Sequence, residues 1–121
     1  MEDDETGAVA EASAAADAWL ETVDAGDVKA SWEATSSLFR RLVGVTQWRE
    51  SFDRVRAVFG RTLRRDQSDA RFTTSVPGAP DGEYVVMEYA AELERKKEAV
   101  ETVVAMRDED GAWRVSGYFI R

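Results

Sequence analysis

The chain of 121 residues has the length of one globular domain, and its net charge of −8 is concentrated near the start. Residues 1–27 contain nine acidic residues and no basic residue, whereas the remaining 94 contain 15 acidic and 16 basic ones. The absence of cysteine excludes disulfides and zinc–thiolate sites, and the absence of histidine excludes the commonest metal ligand and the usual base near neutral pH. We therefore predict neither a metal site nor a cofactor. No apolar run approaches the roughly 20 residues of a membrane-spanning helix, so we predict no transmembrane segment.

Three helices are predicted in the first half of the chain. Residues 1–7 are expected to be a disordered acidic lead-in, and residues 8–121 to form a single domain. The first helix is expected at about residues 8–24, where apolar residues form one stripe among alanines. The second is expected at about residues 28–42, and the third at about residues 46–60, with apolar residues at spacings of three and four.

Four antiparallel strands are predicted after the helices. Residues 61–76 are interpreted as an irregular strand with a bulge or bend near residues 66–69, and a Pro-Gly-rich loop follows at residues 77–82. Residues 84–121 alternate with a period of two, and Asp-Glu-Asp-Gly at residues 108–111 predicts a turn between the last two strands. This order predicts an α+β fold in which three helices pack on one face of a curved, cone-shaped, four-stranded antiparallel sheet.

Short stretches spread over nearly the whole chain from about Ala16 carry a resemblance to a known family. It is strongest in residues 77–86 and residues 113–120. The other stretches are Ala18-Trp19-Leu20, Val23-Asp24-Ala25-Gly26, Ser31-Trp32, Phe39-Arg40, Gln47-Trp48, Arg54-Val55-Arg56, Gly60-Arg61, Lys96-Lys97 and Glu101-Thr102. In these stretches the chain resembles the bacterial family of unknown function labelled DUF4019.

The resemblance has implications for fold and location. The order of helices and strands in this family is similar to the cone-shaped fold of the nuclear transport factor 2 (NTF2) and SnoaL group. That group includes enzymes as well as binding and dimerisation modules, so the fold leaves the function open. Many members of the family look like small exported or cell-envelope proteins, which implies a periplasmic or cell-envelope location. The acidic start of this chain departs from the pattern of a secretory signal.

Three aromatic residues are candidates for the wall of a ligand cavity. Trp32 and Trp48 lie on predicted helices, and Tyr89 lies on a predicted strand. The alternative is that they fill the core between helices and sheet, as large aromatic side chains commonly do. If a cavity is present, a small apolar ligand is the expected occupant.

Four carboxylates are candidates for catalysis, although no spacing singles one out as catalytic. Strict alternation places Glu88 and Glu101 on the outer face of the sheet, where ion pairs across strands are expected. Asp24 and Asp53 lie on predicted helices. An isomerase or hydrolase on this fold would need a carboxylate inside an apolar cavity, close to a tyrosine.

The outer face of the sheet is predicted to be a homodimer interface, because alternation assigns much apolar area to it. The residues assigned to this interface are Tyr84, Val86, Val103, Tyr118 and Ile120. Residues 40–71 are rich in arginine but also contain acidic residues, which favours a solvated, ion-paired face over a nucleic-acid interface.

Two hypotheses about function follow from these observations. The preferred one is a non-enzymatic module that binds a small ligand or a protein partner and dimerises through its sheet. The alternative is an isomerase or hydrolase that uses a buried carboxylate and a tyrosine.

Overall fold

The structure, a computed structural model, describes the backbone of residues 2–121 and the side chains of residues 5–121. Within this range four helices precede four strands, and the strands form one antiparallel sheet with the order β1-β2-β3-β4. The α+β class and the four-stranded antiparallel sheet are confirmed. The bounds are α1 (Glu2–Asp24), α2 (Val28–Glu33), α3 (Ser37–Leu42), α4 (Val45–Phe59), β1 (Thr62–Thr73), β2 (Tyr84–Leu93), β3 (Lys96–Arg107) and β4 (Trp113–Ile120).

Helix α1 packs across the inner face of the sheet and contacts all four strands. Its buried stripe includes Ala12, Ala16, Trp19 and Leu20, as the sequence predicts. The helix begins at Glu2, well before the predicted start, and so includes residues 2–7, for which the sequence predicts a disordered lead-in. Acidic residues are favoured in the first turn of a helix by its dipole, so a sequence interpreted as a tail also suits a helix start.

The second predicted helix is two helices, α2 and α3, because the chain between them binds the edge of the sheet. The backbone N–H of Ser36 donates to the carbonyl of Val115 on β4 at 2.8 Å. The Thr35 hydroxyl donates to the carbonyl of Trp32 at 2.6 Å, and the Ser36 hydroxyl accepts from the N–H of Phe39 at 3.1 Å. Side chains that offer the backbone such alternative hydrogen bonds interrupt helices, and here the interruption also covers part of the edge of β4.

Strand β1 is irregular, as predicted. Its pairing with β2 shifts between Thr62 and Arg64 and again between Gln67 and Asp69. Just before β1, Gly60 has a φ of 77°, and a Cβ at this position would lie 2.7 Å from the Cβ of Glu94. Only glycine therefore suits the tight connection from α4 to β1.

A bulge in β4 changes which side chains face the helices. Ala105 lies opposite Val115, and Val104 lies opposite Gly117, so Ser116 is an extra residue. Such an extra residue reverses the alternation beyond it. Tyr118 and Ile120 consequently face inward, so their predicted placement on the outer face is wrong. Phe119 faces outward and is 62% exposed.

The facing of β3 also differs from the prediction. Val103 lies opposite Met87 and Glu101 lies opposite Tyr89, and all four side chains are buried on the inner face. The predicted outward placement of Val103 and Glu101 is therefore wrong. Both alternating sets of β3 contain several apolar residues, so the hydrophobic pattern alone does not determine which set packs against the helices.

Candidate functional site

A small cavity lies between the end of α1, helix α4 and the inner face of the sheet. Its volume is about 100 Å³. Apolar and aromatic side chains form most of its wall, and a few polar side chains lie among them. The lining residues are Val23, Asp24, Trp48, Ser51, Phe52, Val55, Arg56, Gly60, Thr62, Leu93, Tyr118 and Ile120.

Packing and hydrogen bonding fix the aromatic wall of the cavity. The indole N–H of Trp48 donates to the Ser31 hydroxyl at 2.9 Å, and the ring centroid of Trp48 lies 5.8 Å from that of Trp19. Phe52, one helical turn further along α4, packs edge-on against Trp48 with centroids 6.4 Å apart. Because the polar atom of Trp48 is bonded inside the core, its ring contributes apolar surface to the cavity.

Beside the cavity, one guanidinium joins two carboxylates. Arg65 donates to Glu101 from Nε to Oε1 at 2.6 Å and from Nη2 to Oε2 at 3.0 Å. It also donates to Asp24 from Nη1 to Oδ2 at 2.8 Å and from Nη2 to Oδ1 at 3.1 Å. The hydroxyl of Tyr118 donates to Oε2 of Glu101, whose side chain is fully buried. We call these four residues the Arg65 cluster.

Four separate elements bring the Arg65 cluster together. Arg65 lies on β1, Glu101 on β3 and Tyr118 on β4, while Asp24 is the last residue of α1. The side chain of Arg65 reaches across β2 to Glu101, past its direct partner Ala91. The small side chain of Ala91 leaves space for this crossing. The cluster therefore connects three strands with the end of the longest helix.

The Arg65 cluster raises the pKa of its arginine and the pKa of its tyrosine. Burial alone would lower the pKa of Arg65, but the hydrogen bonds and charges of Glu101 and Asp24 outweigh it and raise that pKa. Burial raises the pKa of Tyr118, and the charge and hydrogen bond of Glu101 raise it further. Each oxygen of Glu101 accepts a hydrogen bond inside the core, where its side chain is fully buried.

Of the three predicted cavity-wall residues, Trp48 lines the cavity and the other two do not. The indole N–H of Trp32 donates to the carbonyl of Val43 at 2.8 Å, and its ring packs against the core. Tyr89 is 2% exposed, and its hydroxyl donates to Asp17 at 3.2 Å. Both side chains therefore take the alternative role, that of core residues.

The candidate carboxylates have different environments. Glu101 and Asp24 belong to the Arg65 cluster. Glu88 faces outward and lies 3.3 Å from Arg121, and Asp53 is exposed on α4. Arg65, the residue that connects the cluster, has no signal in the sequence, because it lies on a strand with two register shifts.

Two of the five predicted interface residues have side chains on the outer side of the sheet. Val86 is half-buried there, opposite Val104. Tyr84 is 1% exposed, because the loop before β2 covers it and its hydroxyl donates to the carbonyl of Pro80 at 2.5 Å. The outer face therefore has a different apolar surface from the predicted one, with Phe119 as its most exposed member.

Comparison with known proteins gives one family match. Residues 15–118 match the model of a family described as protein of unknown function (DUF4019). The matched range includes every residue of the Arg65 cluster. A search of curated proteins gives no match to the chain. None of the helices found in residues 2–121 is long and apolar enough to cross a membrane.

We predict that replacing Tyr118 with phenylalanine makes the free energy of unfolding fall less steeply as the pH rises through the alkaline range. The raised pKa of Tyr118 in the fold means that its contribution is complete below about pH 10, the pKa of an unfolded tyrosine. The contribution declines as the pH rises further, because the unfolded chain releases the proton while the folded chain retains it. At pH 8 the variant should be less stable by about 1 kcal/mol, owing to the lost hydrogen bond.

Urea denaturation at intervals between about pH 8 and pH 11 measures this effect, since the pH range brackets the ordinary tyrosine pKa. The free energy of unfolding should fall less steeply with pH for Tyr118→Phe than for the wild type. Parallel pH profiles for the two proteins would contradict the role assigned to this hydroxyl.

Proposed function

The chain belongs to the DUF4019 family of proteins of unknown function, and we propose that it is a non-enzymatic module that binds a small, largely apolar ligand. The observation that carries this proposal is the apolar cavity between α1, α4 and the sheet. Ligand sites in proteins are typically concave, mostly apolar and largely pre-formed, with a few polar groups that orient the ligand. The cavity wall has each of these properties.

The size of the cavity limits the ligand. An engineered apolar cavity of about 150 Å³ is large enough for benzene. In proportion to volume, a cavity of about 100 Å³ can therefore hold an apolar group of roughly four or five carbon atoms. Because Trp48 is held by Ser31 and by its aromatic neighbours, the wall needs little rearrangement when a ligand enters.

We assign the fold to the cone-shaped NTF2 and SnoaL group. Two features support this assignment: a helical layer on one face of a four-stranded antiparallel meander, and a cavity between that layer and the inner face. The resemblance of the sequence to a family with the same order of elements supports it as well. Superposition of the structure on members of that group tests the assignment, and a flat sheet would contradict it.

An isomerase or hydrolase is the second candidate, and one observation favours it. Tyr118 lines the cavity and also donates to the buried Glu101. Against this alternative, Arg65 occupies both oxygens of Glu101, whereas a general base needs a lone pair directed at the substrate. A bound ligand that is recovered chemically unchanged after long incubation would contradict an enzymatic role.

We further propose that two copies of the chain pair through the outer face of the sheet. This face contains Val86 and Val104 as direct neighbours, and the largely exposed Phe119 lies beside them. Contiguous apolar surface on a sheet face commonly marks an interface. The pair Glu88–Arg121, with atoms 3.3 Å apart, lies on the same face and suits a polar rim.

We expect n-butanol to bind in the cavity of the wild type and to shift the indole N–H signal of Trp48 in a saturable way. Val55→Phe adds volume to the cavity wall and should weaken binding at least about tenfold, as overpacking a closed site does. Val58→Phe is the matched control, because Val58 lies on the same helix, is 55% exposed and does not line the cavity.

Titrations followed by two-dimensional NMR give both affinities. The proposal requires saturable binding by the wild type and by Val58→Phe. It fails if the wild type shows no saturable shift, or if Val55→Phe binds as well as Val58→Phe.

For the interface, we expect Phe119→Asp to shift the dimer equilibrium strongly towards monomer. A charge at the centre of an apolar interface is desolvated without a partner, so the dissociation constant should rise at least about a hundredfold. Val58→Asp is the control, since Val58 is similarly exposed but lies on α4, in the helical layer on the other face.

Sedimentation velocity over a range of concentrations measures both constants. A wild-type protein that stays monomeric at the highest concentration would sink the dimer proposal. Equal dissociation by Phe119→Asp and Val58→Asp would also count against the outer face as the interface.

A further inference from the structure

We infer that the ligand of this cavity is a small monocarboxylate whose anionic group binds Arg56 and whose apolar body lies against Trp48 and Phe52. The inference rests on the proposed function, because it names the ligand class of the same cavity. Its basis is the hydrogen-bonding capacity that the polar groups of the wall have left for a ligand.

Most of the charged groups around the cavity already have internal partners. Both oxygens of Asp24 accept from Arg65, at 2.8 and 3.1 Å. The guanidinium of Arg65 divides its donors between Asp24 and Glu101, and the hydroxyl of Tyr118 donates to Glu101. A ligand would have to break these charge-assisted bonds to use the same groups.

Arg56 differs from these groups, because its side chain donates to a neutral acceptor. Its Nη2 donates to the carbonyl of Val23 at 3.1 Å, and its guanidinium carbon lies 5.0 Å from the centroid of the Phe52 ring. No ion pair among the described side chains includes Arg56, although this half-buried residue lines the cavity. A guanidinium has five N–H donors, so most of them remain free for a ligand.

The free hydrogen-bonding groups of the wall favour an anion over a cation. Arg65 and Arg56 carry two positive charges against the two negative charges of Asp24 and Glu101, so the local charges sum to zero and the free donors decide the preference. A cationic ligand would need free acceptors, and the remaining polar side chains in the wall, Ser51 and Thr62, are neutral hydroxyls. A carboxylate would meet the free donors of Arg56, and planar carboxylates match the fork of a guanidinium.

The position of Arg56 also explains why one end of the ligand should be apolar. Arg56 follows Phe52 by one helical turn on α4, and Trp48 lies one turn before Phe52. A ligand that reaches from Arg56 along this helix face therefore has its charge at one end and its carbon chain against two aromatic rings. Short straight-chain or branched monocarboxylates of about four or five carbons fit this arrangement and the cavity volume.

The experiment compares three ligands of matched shape: butyrate, its neutral isostere butyramide, and the cation n-butylamine. We expect the wild type to bind butyrate about tenfold or more tightly than butyramide, the gain typical of one charge-assisted hydrogen-bonded pair. Butylamine should bind more weakly than butyramide. The readout is the saturable shift of the Trp48 indole N–H signal in each titration.

Arg56→Gln should remove the preference, so that butyrate and butyramide bind within about twofold of each other. Arg54→Gln is the matched control, because Arg54 lies on α4, is exposed and does not line the cavity; it should keep the full preference. Arg56 also binds the end of α1, so its loss can affect folding. Arg56→Lys retains the charge with fewer donors, so its preference for butyrate over butyramide should be intermediate. For every variant, an unchanged affinity for butyramide shows that the cavity is intact.

The outcomes separate this inference from the proposed function. Equal binding of butyrate and butyramide by the wild type overturns the monocarboxylate inference and leaves the binding module standing. A preference that survives in Arg56→Gln overturns the role of Arg56. Failure of these three ligands while n-butanol still binds overturns the monocarboxylate inference alone, and failure of n-butanol as well overturns the proposed function itself. Preference for butyrate that weakens with added salt supports the inference.

Discussion

The buried ion pair between Arg65 and Glu101 is the interaction on which the rest of the site depends. Glu101 is fully buried on β3, and an unpaired carboxylate there would cost several kcal/mol, on the order of 3–5. Arg65 satisfies it from β1, Tyr118 adds a third donor from β4, and the same guanidinium holds Asp24 at the end of α1. Since a buried pair requires accurate geometry to repay its desolvation, it constrains the relative positions of these four elements.

This constraint also shapes the cavity and its chemistry. Asp24 and Tyr118 belong to both the Arg65 cluster and the cavity wall, so the ion pair fixes one side of the cavity. A carboxylate whose oxygens accept hydrogen bonds from Arg65 and Tyr118 is poorly placed for proton transfer, which is why we propose a binding role. Arg56 lines the same cavity, where its Nη2 donates to the carbonyl of Val23 beside Asp24, and its other donors are free for a ligand. The cavity wall thus combines charged groups that are satisfied internally with one that can still bind.

The sequence predicts the elements well but not the faces of two strands. The periodicity of α1 and α4, the irregularity of β1 and the meander order follow from spacing and from glycine and proline positions. The extra residue Ser116 reverses the alternation of β4. The adjacent Gly117 is the one local signal of this bulge, because an isolated glycine inside a strand often marks one. Both faces of β3 contain several apolar residues, so the sequence pattern wrongly predicts that Glu101 lies on the outer face.

The inward position of Arg65 cannot be predicted from the sequence, because the irregular register of β1 hides which of its side chains face inward. The break before α3 depends on a bond from Ser36 to Val115, a contact made only in the folded chain.

A double-mutant cycle on Arg65 and Glu101 tests the central claim most directly. Urea denaturation of the wild type, Arg65→Met, Glu101→Gln and the double variant gives the coupling energy between the two side chains. We predict a coupling of about 2–3 kcal/mol, since each single change leaves a buried partner unsatisfied. The same cycle on the exposed pair Asp69–Arg71, whose atoms are 3.2 Å apart, should give less than about 1 kcal/mol. Additive effects of Arg65→Met and Glu101→Gln would contradict the claim that this ion pair organises the site.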